Sequence, residues 1–186
     1  MSHLKLVVLG PNESGKSYIC NFLSETVDQV TGDYYPTSGV RILEYEQKLK
    51  VKGKPVKIEV ELWDVSGDRK YEACWPAIFK GAHGVVFVYN PDKSHHEEEL
   101  NEWYQTFPQS SGLKDQQFCV ICYKKPDSSD RDIVSLPSVF HRFFQFRCNM
   151  PKDGEKLREQ FGKFVSQIAW GRLEANEQEE LNIMNS

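Results

Sequence analysis

The segment Gly10-Pro11-Asn12-Glu13-Ser14-Gly15-Lys16-Ser17 carries two glycines, a lysine and a hydroxyl at the spacing G-x-x-x-x-G-K-[ST], the arrangement that wraps a phosphate. The glycines let the loop curl so that successive N–H groups point inward, and a helix starting after Gly15 adds its own N-terminal N–H groups. Lys16 then reaches the β- and γ-phosphates as a compact cation, and the Ser17 hydroxyl completes part of a Mg²⁺ shell. A glycine-containing turn that binds nothing would carry the same letters. Context favours the phosphate grip: an apolar run, Leu4 to Leu9, stands in front and a helical stretch, Ser17 to Leu23, behind.

Further downstream, Asp64-Val65-Ser66-Gly67 is a D-x-x-G pattern at the end of an alternating strand. A carboxylate there can hold Mg²⁺ through water, and the Gly67 N–H can approach a γ-phosphate because no side chain intervenes. Thr37, in Tyr35-Pro36-Thr37-Ser38-Gly39, places a hydroxyl where it could join the metal only when the γ-phosphate is present. The plain alternative is a turn threonine. Metal ligation is therefore expected from Ser17, Thr37 and Asp64.

Strands and helices must alternate to position these loops. An extended region, Val40 to Val51, a turn at Lys52-Gly53-Lys54-Pro55 and the alternation Val56, Ile58, Val60, Leu62 predict an antiparallel hairpin. Gly84 to Tyr89 is a continuous apolar run of the buried parallel type. Leu100, Trp103, Tyr104 and Phe107 have helical spacing that stops at Pro108, with a capping box at Ser94 to Glu97 opening that helix. Phe118 to Tyr123 and Phe143 to Cys148 supply two more strands, and Leu157, Phe161, Phe164, Val165 and Ile168 a C-terminal amphipathic helix. The order implies one α/β domain: a six-stranded, mostly parallel sheet with one antiparallel strand and helices on both faces. Residues 1–171 are expected to form it, and the acidic stretch 172–186 a flexible tail.

At 186 residues and 12% aromatic content the chain can bury a sizeable core, and its net charge of −4 argues against nonspecific nucleic-acid binding. No run is long enough to span a bilayer, and neither terminus carries a lipidation signal, so no membrane anchor is expected and the cytoplasm is the expected compartment. Five cysteines, an odd number, suit reduced thiols. Cys119 and Cys122 have C-x-x-C spacing, but an offset of three within a strand points them to opposite faces. His95 and His96, beside three glutamates, read more simply as a helix start than as metal ligands.

The phosphate loop, Thr37 and the D-x-x-G pattern, in this order and spacing, resemble the Ras superfamily of small GTPases over nearly the whole chain. Gly39-Val40-Arg41-Ile42-Leu43-Glu44, Glu61-Leu62-Trp63-Asp64, Cys74-Trp75-Pro76-Ala77 and Ala82-His83-Gly84-Val85-Val86 look most like the Rab-like GTPase subunits of intraflagellar transport complex B. The resemblance implies binding of GTP or GDP with Mg²⁺ by Asn12, Glu13, Ser14, Gly15, Lys16, Ser17, Tyr18, Thr37, Gly67, Lys125, Asp127, Cys148 and Asn149. It also implies docking onto a coiled-coil heterodimer of that complex, and a place in the cytoplasm, the cilium or flagellum and its base.

Departures from the family pattern bear on turnover. Asp68 stands where an active GTPase usually has a water-orienting glutamine, and an ionised carboxylate repels the γ-phosphate and cannot donate a hydrogen bond. A side chain at Asn12 crowds an incoming arginine finger. Both lead us to expect weak or no intrinsic hydrolysis, with a cycling GTPase completed by a partner in trans as the alternative. A P-loop kinase or ATPase is disfavoured by the lack of an arginine-rich lid segment. Where the family reads guanine with N-K-x-D, this chain has Lys124-Lys125-Pro126-Asp127; Asp127 still favours guanine, although the stretch could also be a solvated turn. Tyr71, Trp75 and Phe79, four apart, form either an aromatic partner-binding face or core packing.

Overall fold

The computed structural model describes residues 2–25, 36–51, 53–93, 95–106, 111–125, 136–150 and 152–184. The apolar runs become the strands β1 (Ser2–Leu9), β2 (Val40–Val51), β3 (Lys54–Val65), β4 (Gly84–Tyr89), β5 (Phe118–Lys124) and β6 (Phe144–Asn149). They form one six-stranded sheet in the order β2-β3-β1-β4-β5-β6. β2 runs antiparallel to β3, and every other pairing is parallel, as the sequence predicts. The hairpin turn is tighter than expected: β3 already begins at Lys54, pairing with Val51, and Gly53 takes the positive φ of 76° that the short connection needs.

Among the described residues four α-helices, α1 (Lys16–Leu23), α2 (Trp75–Phe79), α3 (His96–Thr106) and α4 (Gly154–Met184), cover the two faces. Alternation along the central strand divides the core. Leu4, Leu6 and Val8 face Ile19 and Leu23 of α1 and Leu157, Phe161, Phe164 and Ile168 of α4. Val7 and Leu9 face Trp75 and Ile78 of α2, Leu100 and Trp103 of α3, and Phe140 in a 3-10 turn at Ser138–Arg142. Cys119 lies in the first core and Cys122 in the second, so the C-x-x-C spacing cannot bring the two thiols together. Cys20 and Cys148 are also buried, whereas Cys74 is exposed.

One charge interrupts the apolar run of β1. Lys5 is buried, donates from Nζ to the Lys80 carbonyl at 2.9 Å and lies 3.5 Å from the centre of the Trp63 ring, so its cation is solvated by a carbonyl and a π-face in place of water.

One open alternative is decided for Trp75, and one local expectation changes at the C-terminus. Trp75 is fully buried, with its ring centroid 4.4 Å from that of Trp103, so it packs the core and is unavailable as part of an aromatic docking face. Tyr71 and Phe79 are half-buried on either side of it. Beyond Arg172, where a loose tail is expected, α4 continues as helix to Met184. The stretch from Leu173 to Leu181 is rich in Leu, Ala, Glu and Gln and has no glycine or proline, a composition with strong intrinsic helix preference. Gln178 and Asn182 add an i,i+4 hydrogen bond at 3.3 Å. The Ser94 end of the expected capping box, and Phe107 and Pro108, lie outside the described residues.

Candidate phosphate-binding site

The C-terminal ends of β1, β3 and β4 and the start of α1 bring the sequence-predicted residues to one place. Gly15 caps α1 with φ 96°, and a Cβ there would fall 2.3 Å from the Tyr123 ring, so both the left-handed backbone and the close approach demand glycine. Glu13 also takes a left-handed conformation, φ 59°, which is uncommon for a residue with a side chain. Its carboxylate pairs with Lys93 Nζ at 2.9 Å.

Lys16 is buried, and its Nζ donates to the Gly10 carbonyl at 2.8 Å and the Pro11 carbonyl at 2.6 Å. Burial pulls its ammonium pKa down to about 8, while the nearby Asp64 charge acts in the opposite direction. The lysine is thus folded back over its own loop.

Three oxygen ligands converge beside it. Ser17 Oγ and Thr37 Oγ1 are 2.9 Å apart, and Thr37 Oγ1 donates to Asp64 Oδ2 at 3.3 Å. Thr37 therefore faces both Ser17 and Asp64. Asp64 is fully buried. Burial raises its pKa, and Ser17, Lys16, Arg41 and Thr37 counter that shift. Arg41, which the motifs do not reveal, reaches from β2 to donate to Asp64 Oδ2 at 3.3 Å and to Asn21 Oδ1 at 2.5 Å. No spacing rule marks it; only the antiparallel register of Arg41 opposite Asp64 does. Asp64 Oδ1 is buried and has no hydrogen-bond partner among the described residues.

Gly67 closes the other side. A Cβ on it would lie 2.6 Å from the Asn12 nitrogen and 2.7 Å from Asn12 Oδ1, so the D-x-x-G loop can touch the phosphate loop only as glycine. Asn12 fills this contact with its side chain. Asp68 points to solvent: its carboxylate accepts from the Lys70 N–H at 3.0 Å, capping a 3-10 turn at Arg69–Cys74, and pairs with Lys70 Nζ at 2.7 Å.

The expected base-reading residues are less fully assembled. Lys124 ends β5 directly opposite Asn149 of β6, and Lys125 follows it on the surface. Asp127 lies outside the described residues. The Cys148 side chain is packed in the core, which leaves only its backbone for a ligand. The Asn149 N–H donates to Asp153 Oδ2 at 2.8 Å. Tyr18, on the first turn of α1, is exposed, with its ring 5.6 Å from that of Tyr123. Ser14 is buried, and its hydroxyl has no partner among the described residues.

Comparison with known proteins follows the same lines. The family model described as "Ras of Complex, Roc, domain of DAPkinase" matches residues 5–127. The chain is 38% identical over 186 residues to the intraflagellar transport protein 22 homolog of Danio rerio, covering 99% of this chain and 100% of that protein. Among solved structures it is similar to the GTP-bound T. brucei IFT22/74/81 crystal structure, with a TM-score of 0.77, 31% identity and coverage of 94% of this chain and 99% of that one. It is also similar to the GDP-bound T. brucei IFT22 crystal structure, at a TM-score of 0.69 and 28% identity over 92% of this chain and 99% of that one. Full-length identity of this order, on a sheet and loop arrangement shared with those structures, means that the chain belongs to the intraflagellar transport protein 22 family of Ras-like small GTPases.

Proposed function

We propose that this protein is a Rab-like GTP- and GDP-binding module of intraflagellar transport complex B, acting in cilium or flagellum assembly with weak or no intrinsic hydrolysis. The observation that carries the reading is the convergence of the buried Lys16 with Ser17, Thr37 and Asp64 at one loop cluster. The oxygen-only set Ser17, Thr37 and Asp64, with the unpartnered Asp64 Oδ1, suits a hard divalent cation such as Mg²⁺. When bound, the ion would neutralise charge on the β- and γ-phosphate oxygens.

In this reading Gly15 and its neighbours Asn12, Glu13 and Ser14 offer the backbone cradle. Lys16 would supply its ammonium to the phosphate oxygens, and Gly67 would leave room for its N–H to reach the γ-phosphate. Tyr18, Lys125 and the backbone of Cys148 and Asn149 would face the base and ribose, and Asp127, by the family resemblance, would read guanine. Slow turnover follows from Asp68, whose carboxylate is committed to Lys70 and supplies no donor to orient a water. Residues 1–171 form the nucleotide-binding domain, with the acidic end of α4 as an appendage. The partner is a coiled-coil heterodimer of the same complex, supported by the T. brucei IFT22/74/81 assembly. Action at the cilium or flagellum, its base and the cytoplasm follows from that partner. No helix of the described residues is long and apolar enough to cross a membrane.

The test is nucleotide content of the purified protein, followed by single-turnover hydrolysis with and without the coiled-coil partner. Bound guanine nucleotide with slow hydrolysis in both states is expected. Fast hydrolysis with partner alone would favour the cycling GTPase, and the absence of guanine-nucleotide binding would sink both readings.

A further inference from the structure

The first turn of α3 touches the phosphate loop from behind. His96 is buried, and its Nδ1 accepts from the Asn90 N–H at 3.1 Å. The Asn12 backbone lies next to the same ring and favours its N–H as a donor. With Nδ1 committed as acceptor, the group facing Asn12 is Nε2–H and the acceptor is the Asn12 carbonyl, so the imidazole is one neutral tautomer joining the end of β4 to the phosphate loop. Burial, and the cations of Lys16 and Lys93, keep it neutral, with a pKa lowered to about 4.

A second link runs alongside. Lys93, in the same connection between β4 and α3, pairs with Glu13 at 2.9 Å, and the His96 N–H donates to the Lys93 carbonyl at 3.1 Å. Asn12 and Glu13 are thus each held by the β4–α3 connection. Glu13 is the residue whose left-handed backbone, φ 59°, must be held against its own preference. From the opposite side Gly67 closes on Asn12, so this part of the loop is clamped between the D-x-x-G segment and α3.

We infer that His96, assisted by Lys93, is a positioning residue for the phosphate loop: it fixes Asn12 and Glu13 in the conformation that presents the loop N–H groups to the nucleotide. The inference rests on the reading of this loop as a nucleotide cradle. Neither residue touches the ligand; the effect is exerted through the loop backbone.

Release of a fluorescent GDP analogue from the Mg²⁺-loaded full-length protein tests this. His96→Ala should speed release about tenfold, the value of one buried hydrogen bond. His96→Gln, which offers an amide acceptor and donor on a comparable reach, should return release to near the wild-type rate. A purely structural histidine would instead lower the melting temperature of the nucleotide-free protein while leaving release unchanged. That result, or a Gln variant that melts normally and still releases at the Ala rate, would overturn the inference. Lys93→Gln removes only the exposed ion pair and should speed release roughly two- to threefold. If His96→Ala does not fold, unchanged release in Lys93→Gln overturns the proposal. A wild-type protein that does not hold the analogue, or holds it as well after Lys16→Ala, refutes the cradle reading itself.

Discussion

A carboxylate at position 68 does two jobs of opposite sign. It caps the 3-10 turn after the D-x-x-G segment and is held by Lys70, yet it stands where a hydrogen-bond donor would help a water attack. Asp68→Gln should therefore separate the two. Single-turnover GTP hydrolysis is expected to rise roughly tenfold, the value of one hydrogen bond that orients the attacking water, and the melting temperature to fall by about 2–4 °C through the lost cap. An unchanged hydrolysis rate would leave Asn12 as the residue behind the proposed slow turnover. Lys16, Ser17 and Asp64 are marked by local spacing, and the structure brings the three together. His96 and Lys93 are not so marked. Local chemistry gives a complete account of them as the start of a helix, and only the crossover that sets α3 behind the phosphate loop gives them anything further to touch.

Helix register decides what an aromatic at a given spacing does. Tyr71, Trp75 and Phe79 are evenly spaced in sequence, but the 3-10 turn at Arg69–Cys74 gives way to α2 at Trp75. The change of pitch turns Trp75 inward while Tyr71 and Phe79 stay half-buried. Trp75→Ala is expected to lower unfolding stability by about 3–5 kcal/mol, as for a large core aromatic, in urea titrations. Partner capture should fall only in proportion to the folded fraction. A variant of normal stability that loses the partner would return Trp75 to a docking role. Strands were read to within a residue or two, because period-2 alternation and continuous apolar runs follow directly from one or two buried faces. The end of α4 departs from the expected loose tail: an acidic, polar stretch gives no amphipathic stripe, so only intrinsic propensity marks it as helix.

Across the whole molecule, alternation of strand and helix signals was enough to give the α/β sheet, its single antiparallel strand and a site on the loops at the strand ends. What it could not give was how polar groups distribute between the two cores. Glu97 is buried at the start of α3, and its Oε1 has no hydrogen-bond partner among the described residues. Burial raises its pKa above the usual carboxylate value, so the folded state binds the proton more tightly than the unfolded chain. Stability from this group is present below the unfolded pKa and is lost as pH rises through the folded one. Glu97→Gln should accordingly melt like the parent protein at about pH 4 and be more stable by about 1 kcal/mol at pH 7. Melting curves across that range check it, and equal stability at neutral pH would mean that the carboxylate has a partner in the folded protein.

Four of the five thiols lie within the two cores, where burial raises each pKa and suppresses the reactive thiolate. Cys74 alone is exposed, at the N-terminus of α2 and just beyond the segment that would follow the γ-phosphate. A thiol-reactive dye added to the folded, unmodified chain would therefore attach at Cys74 alone, beside the D-x-x-G segment, without any cysteine having to be removed first.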